Sequence, residues 1–213
     1  MNSPHQHFHA SAKLRFRTSV PRLTVASFVL AILALFPGCL TVETKEYHIS
    51  LKDGGSGEAR IVFSDIRSES DDTTNASAED FRQLIDLYLL GTHFEKDNPG
   101  FHNVHKRLYE DDGKLCGEVT LSFDSLAALR LFQYKNQGPL MYFVGSPMSS
   151  EELVESNGEF GRTWMPVVFW PEGTHELSIK TKVVSQAPYH HSLLALFKKW
   201  ESSGNIQKQS HEK

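Results

Sequence analysis

The sequence predicts an α+β domain, a largely antiparallel sheet built from hairpins with two or three helices packed on it. Three observations carry this. Alternating apolar and polar runs flank glycine-rich turns, and one amphipathic segment opens behind cap-like residues at Ser77. Near the carboxyl end, Leu193, Leu196, Phe197 and Trp200 recur at i, i+3, i+4 and i+7.

Residues 41–51 read as a strand, because Tyr47, Ile49 and Leu51 alternate with His48 and Ser50. Asp53-Gly54-Gly55-Ser56-Gly57 is a turn, and Ala59, Ile61 and Phe63 mark the returning strand. Residues 64–77 mix Asp65, Glu69, Asp71 and Asp72 with Ser, Thr and Asn. Their spacing matches no calcium loop of the EF-hand kind, so a solvated loop is expected. Ser77-Ala78-Glu79-Asp80 predicts a capping box, and Phe81, Leu84, Ile85 and Tyr88 continue it as a helix that Gly91 ends.

A second hairpin is expected to pair residues 104–109 with 115–123 across Glu110-Asp111-Asp112-Gly113. Asp124-Ser125 should cap a short helix through Phe132, so hairpin followed by helix would occur twice. Residues 140–144 predict a strand buried on both faces, and Asn157-Gly158 a hairpin turn. Residues 164–170 and 177–183 predict a last strand pair, with Pro166 forcing an edge or a bulge. The closing helix should dock on the sheet, and the polar residues 201–213 predict a disordered tail.

Ahead of this domain, the run Leu23 to Phe36 contains only Thr24 and Ser27 as polar residues, and Lys13, Arg15, Arg17 and Arg22 precede it. It is shorter than the ~20 residues a membrane-spanning helix needs, and Pro37-Gly38 ends it. A basic flank, a short apolar run and small residues at a cut site predict a secretory signal peptide. Leu35-Phe36 followed by Gly38-Cys39 resembles the lipobox of bacterial lipoprotein precursors. That resemblance implies cleavage before Cys39 and a diacylglyceryl group on its thiol, which makes Cys39 the lipidation site. Leu40, standing where an Asp would signal inner-membrane retention, favours the outer membrane of a bacterial cell envelope. The expected division is therefore residues 1–38 as removed signal peptide, 39–200 as one membrane-anchored domain, and 201–213 as tail.

Removing residues 1–38 takes four of the 22 Lys and Arg and none of the 26 Asp and Glu. The remaining 175 residues then carry 18 cations against 26 acids, a net charge near −8. That balance argues against nucleic acid as a partner. The expected partners are the membrane, through the anchor on Cys39, and a protein or a lipid-like ligand. With Cys39 acylated, Cys116 has no partner for a disulfide, and its apolar-alternating setting predicts an inert core thiol.

Chemistry-bearing motifs are sparse. His102 and His105 form an x-x-spaced pair without a third ligand, and the neighbours His190 and His191 alternate across an extended chain. His175-Glu176 lacks the helical spacing of a zinc protease. No nucleophile elbow, phosphate loop, dinucleotide fingerprint or CxxC is present, so no catalytic residue, metal site or cofactor is assigned. A different signal lies in Phe132, Tyr134, Tyr142, Phe143, Phe160, Trp164, Phe169 and Trp170, which cluster in one region. Phe169 and Trp170 must face opposite sides of a strand, and a helix is expected to cover the outward side. The sequence thus favours a non-enzymatic binding or structural module held close to the membrane. The competing expectation is an envelope hydrolase or metal-dependent enzyme with a site not visible in sequence.

Overall fold

A short strand β1 (Cys39–Thr41) leads into β2 (Thr44–Leu51), which returns through the glycine-rich turn as β3 (Gly57–Ser64). This is the computed structural model of the chain, which describes residues 39–70, 73, 75–145, 151–162 and 165–204. After β4 (Arg67–Ser70), helix α1 runs as Ser77–Gln83 and continues as a π-helical turn, Leu84–Leu89, before the short α2 (His93–Asp97). The long hairpin β5 (Phe101–Asp111) and β6 (Lys114–Phe123) follows. Then come β7 (Leu131–Gln133), β8 (Leu140–Phe143), β9 (Glu151–Ser156), β10 (Glu159–Phe160) and β11 (Val167–Trp170). The chain closes with β12 (Glu176–Val183), β13 (Tyr189–Ser192) and α3 (Leu194–Ser202).

Among the described residues the strands form three sheets, all with antiparallel neighbours. The large one has the order β5-β6-β3-β2-β12-β9; the smaller ones are β10-β11-β8-β7 and β1-β4-β13. Period-two alternation gives the large sheet one apolar face, carrying Ile49, Ala59, Ile61, Leu121, Leu177 and Ile179. Strand β6 shows how that face is covered. Val119, Leu121 and Phe123 enter a first core under the four-stranded sheet, with Leu140, Tyr142, Val168 and Trp170. Leu115, on the same side of the same strand, enters a second core with Ile66, Phe81, Leu84, Leu193 and Phe197. The four-stranded sheet and the assembly of β1, β4, α1 and α3 therefore lie side by side on one face of the large sheet. Phe63 packs against both.

The opposite face is polar. Glu118 on β6 sits between two guanidinium groups, accepting from Arg60 Nε at 2.6 Å and from Arg107 Nε at 2.7 Å. The hydrogen bond from Arg107 is the first cause, with Arg60 adding to it, that holds the Glu118 carboxyl below its ordinary range despite its burial. Because the folded pKa is the lower one, this contribution is complete above the unfolded value of ~4.3 and disappears as pH falls through the folded value. Glu118→Gln should accordingly flatten the acid limb of a plot of urea midpoint against pH. An unchanged acid limb would show that other carboxylates govern it.

Several expectations are corrected. Residues 67–70 are no solvated loop. They form the central strand of the three-stranded sheet, with Ser68, Glu69 and Ser70 buried. Their polarity hides the strand, because Ser68 Oγ donates to the buried Asp80 Oδ2 at 2.5 Å and Ser185 Oγ to Glu69 Oε2 at 2.6 Å. The capping box fails for the same reason: Asp80 serves β4, and Asn75 Oδ1 accepts the Ser77 amide at 3.0 Å. The helix after Asp124 is only a 3₁₀ turn, Leu126–Leu129, so hairpin and helix do not repeat.

Strands β11 and β12 do not pair; β11 joins β8 and β10, whereas β12 joins β2 and β9. Pro166 stands just before β11, so its missing donor costs the ladder nothing, and its carbonyl accepts the Val144 amide at 2.8 Å. Strand β8 is buried on one face only, since Phe143 projects into solvent. The anticipated docking of the last helix is observed, with Leu193 and Phe197 buried in the second core. Of the tail expected over 201–213, α3 takes up residues 201 and 202; Trp164, the expected signal segment 1–38 and residues 205–213 lie outside the described residues.

Candidate functional site

Where the two covers meet, the large sheet is left partly bare. The floor is Phe63 on β3 with Gly117 and Val119 on β6, and the space above it is a pocket of about 340 Å³. Leu40, Thr41 and Val42, at and just after β1, form one wall. Leu84, Tyr88 and Leu89 form another, all from the π-helical turn of α1. Phe94 of α2, Ile66 and Leu108 of β5 complete the lining. A π turn is uncommon and concentrates at functional positions, so its coincidence with this wall is informative.

Gly117 is what makes the space. A strand interior disfavours glycine, which loses entropy and packs nothing. Here a Cβ would lie 3.1 Å from Ile66 Cδ1 and 3.4 Å from Leu108 Cδ2, so any side chain begins to fill the pocket. The volume is more than twice that of the ~150 Å³ apolar cavity known to stay dry and admit benzene. It falls at the small end of the ~300–1,000 Å³ seen for ligand sites.

Two lysines border the pocket with their charges already balanced. Lys106 Nζ donates to Glu95 Oε1 at 2.7 Å and to the Gly91 carbonyl at 2.6 Å, which ties α2 and the end of α1 to β5. Lys45 Nζ lies 2.6 Å from Glu151 Oε1, and Glu151 Oε2 also accepts from Thr181 Oγ1 at 2.8 Å. Arg107 and Glu118 border the pocket too, and pair with each other. Beyond the pocket, burial pushes the Tyr47 and Tyr142 phenols up, so both stay protonated at neutral pH. The site offers an apolar chain a place to go, with neutralised charges at its border.

The residues singled out by sequence are dispersed. Cys39 stands at the start of β1, opposite Glu69 of β4, and His190 of β13 stands opposite the other side of Glu69. His190 Nδ1 lies 3.0 Å from Glu69 Oε1. His102 reaches only Asp124, at 3.4 Å, and a register shift separates it from His105, which faces Thr120. His175 Nδ1 contacts the Leu51 carbonyl at 3.0 Å. Among the described residues no group of three His, Cys, Asp or Glu side chains is placed to share a metal. Cys116 is buried and unpaired, but it alternates with Leu115 along β6 and so lies on the side of Glu118, outside both cores. A second hollow of about 270 Å³ lies on the polar face, where Ser50 Oγ already donates to Glu176 and Arg60 to Glu118.

No family model, curated protein or solved structure matches this chain.

Proposed function

We propose that this protein is a lipid-anchored module of the bacterial cell envelope, non-enzymatic, that holds an acyl-chain-like ligand against the membrane, with the outer membrane favoured. One observation carries the reading: the apolar pocket is walled by residues 40–42, immediately after the cysteine of the lipobox-like segment. Because β1 begins at Cys39, no flexible linker separates a lipid on that residue from the folded domain. A tether reaches only ~3.3–3.6 Å per residue, so the pocket would sit beside the bilayer and exchange chains with it directly. An apolar lining whose border charges are already paired suits hydrocarbon, and burying its apolar part stabilises the complex by about 25 cal/mol per Å².

Native mass spectrometry of the protein purified gently from envelope tests this. A stoichiometric non-covalent adduct of lipid mass is expected, and a bare mass would count against the reading. Gly117→Leu should abolish the adduct by filling the pocket. Gly117→Ala guards against misfolding as an explanation: its methyl meets the flexible ends of Ile66 and Leu108 first, with the Arg107 carbonyl oxygen at an ordinary 3.9 Å. It should keep or raise stability by about 0.5–1 kcal/mol, the entropic cost of a strand glycine, while weakening ligand binding. Tight binding in both variants would place the ligand elsewhere.

A further inference from the structure

The four-stranded sheet has a second face that no described helix covers. Its register puts Phe132, Met141 and Phe169 directly beside one another across β7, β8 and β11. Phe143 stands two residues along β8 from Met141, opposite Val167, which is buried, so the open part of this face lies towards β7 and Phe143. Their neighbours in sequence, Leu131, Tyr142, Val168 and Trp170, point into the first core. The side expected to lie under a helix instead leaves Phe132 50% and Phe143 60% exposed, with Tyr134 at 61% just beyond β7.

We propose that this aromatic face is a membrane-docking surface that seats its rings at the headgroup–acyl boundary of a phospholipid bilayer. The proposal rests on the anchored reading of Cys39. Four features of the molecule select this occupant.

Three half-exposed rings offer roughly 300 Å², given ~150–250 Å² for a whole aromatic side chain. A stable protein interface needs ~800 Å² from each partner, so a second copy of the chain is poorly served. Shallow insertion by a tethered domain asks for much less, because the anchor supplies a high effective concentration. Tyr favours the interfacial layer, and Phe is among the side chains that interfacial elements bury beneath it.

The border of the patch carries cations. Lys135 Nζ lies 5.2 Å from the Tyr134 ring centroid, and Arg162 follows β10. Neither forms an ion pair among the described residues, whereas Lys45, Lys106 and Lys114 all do. Lys135 and Arg162 are held at φ 51° and 72°, a left-handed backbone costly for residues with a Cβ. Such strain concentrates at functional positions. Here it accompanies two cations with no ion pair among the described residues, Lys135 at the Tyr134 ring and Arg162 just after β10, as lipid phosphate above hydrocarbon requires. Glu159, opposite Phe169, is the acid on this face and sits at its edge strand.

The layering supplies the last feature. β1 and the four-stranded sheet cover the same face of the large sheet, as the division of β6 between the two cores shows. An anchor at Cys39 and the aromatic face therefore belong to one layer of the molecule, and a linker-free tether brings that layer to the bilayer.

The test uses Phe143→Trp protein purified from envelope and reconstituted into phosphatidylcholine vesicles with or without brominated acyl chains. The emission added by F143W should be lost on the brominated vesicles. His48→Trp, on the polar face of the large sheet, should keep its emission. Co-flotation and the mass of Cys39 report the anchor separately. If the protein floats but F143W stays bright, docking is overturned and the anchored reading survives. If Cys39 carries no lipid, the anchored reading fails, and docking stands only if excess vesicles still quench F143W. A bright F143W in a dimer that Phe132→Ser splits would assign the face to a second copy and overturn the proposal.

Discussion

Trp170→Ala is expected to cost the domain about 3–5 kcal/mol. A domain of this kind is stable by only ~5–15 kcal/mol, so this one change removes at least about a fifth of the margin. Trp170 is buried in the first core, between the four-stranded sheet and the large sheet. Its indole also organises the turn that joins them. Nε1 donates at 2.7 Å to Asn157 Oδ1, which accepts the Ser178 amide at 2.8 Å, while Asn157 Nδ2 donates to the Glu176 carbonyl at 2.9 Å. The packing is tight enough that Gly158 must be glycine: a Cβ there would sit 2.7 Å from the Phe169 carbonyl oxygen and from Trp170 Cε2. Truncation thus opens a cavity and unpins β9 from β12 together. Trp170→Phe keeps much of the volume but leaves Asn157 one donor short, so a smaller loss of about 1–2 kcal/mol is expected. Urea unfolding followed by far-ultraviolet circular dichroism would read both. Equal losses for the two variants would mean that the hydrogen bond dominates and the packing argument is wrong.

Much of this framework was legible in the chain. The turns at Asp53–Gly57 and Asp112-Gly113 each join strands where the alternation of apolar residues places them. Asn157-Gly158 is a chain reversal but not the expected hairpin turn, because its strands pair in different sheets instead of with each other. That difference explains why β11 and β12 were wrongly paired: local pattern identifies a strand but not its partner, and here consecutive strands change layers. Strand β4 was illegible because its buried side chains are Ser68, Glu69 and Ser70. Their burial is made tolerable by partners far away in sequence, Asp80 and Ser185. The pocket could not be read either, since its lining spans Leu40 to Val183. A single clue was present: Gly117 interrupts an otherwise apolar strand pattern, which marks a close approach or a space. The aromatic face was half visible, as the opposite orientations of Phe169 and Trp170 follow from the strand period. What covers a face depends on the rest of the fold, and no local signal decides it.

Cys39→Ser carries the other large expected effect, on processing instead of stability. If the lipobox-like segment works as its resemblance implies, the substitution stops both acylation and cleavage. The chain should then accumulate at its full 213 residues and not at the 175 that follow cleavage before Cys39. The fold should be indifferent, because the β1–β4 ladder uses backbone groups that serine retains. Normal cleavage of C39S, seen by intact mass, would remove the anchor from the argument. The structure adds a kinetic demand. The peptide bond that the lipobox resemblance marks for cleavage adjoins a strand whose register runs Cys39 opposite Glu69, Leu40 opposite Ser68 and Thr41 opposite Arg67. A peptidase working in the membrane would need that segment extended and free, so such cleavage would have to come before β1 joins β4 or while it is open. A three-residue edge strand can open at the cost of the Leu40 contact with the second core, as short terminal strands have low local stability. Once cut and acylated, its closure would fix Leu40 and Val42 against the pocket and draw the domain onto the bilayer. β1 would then act as both wall and tether, so that completing the pocket and seating the domain become the same event.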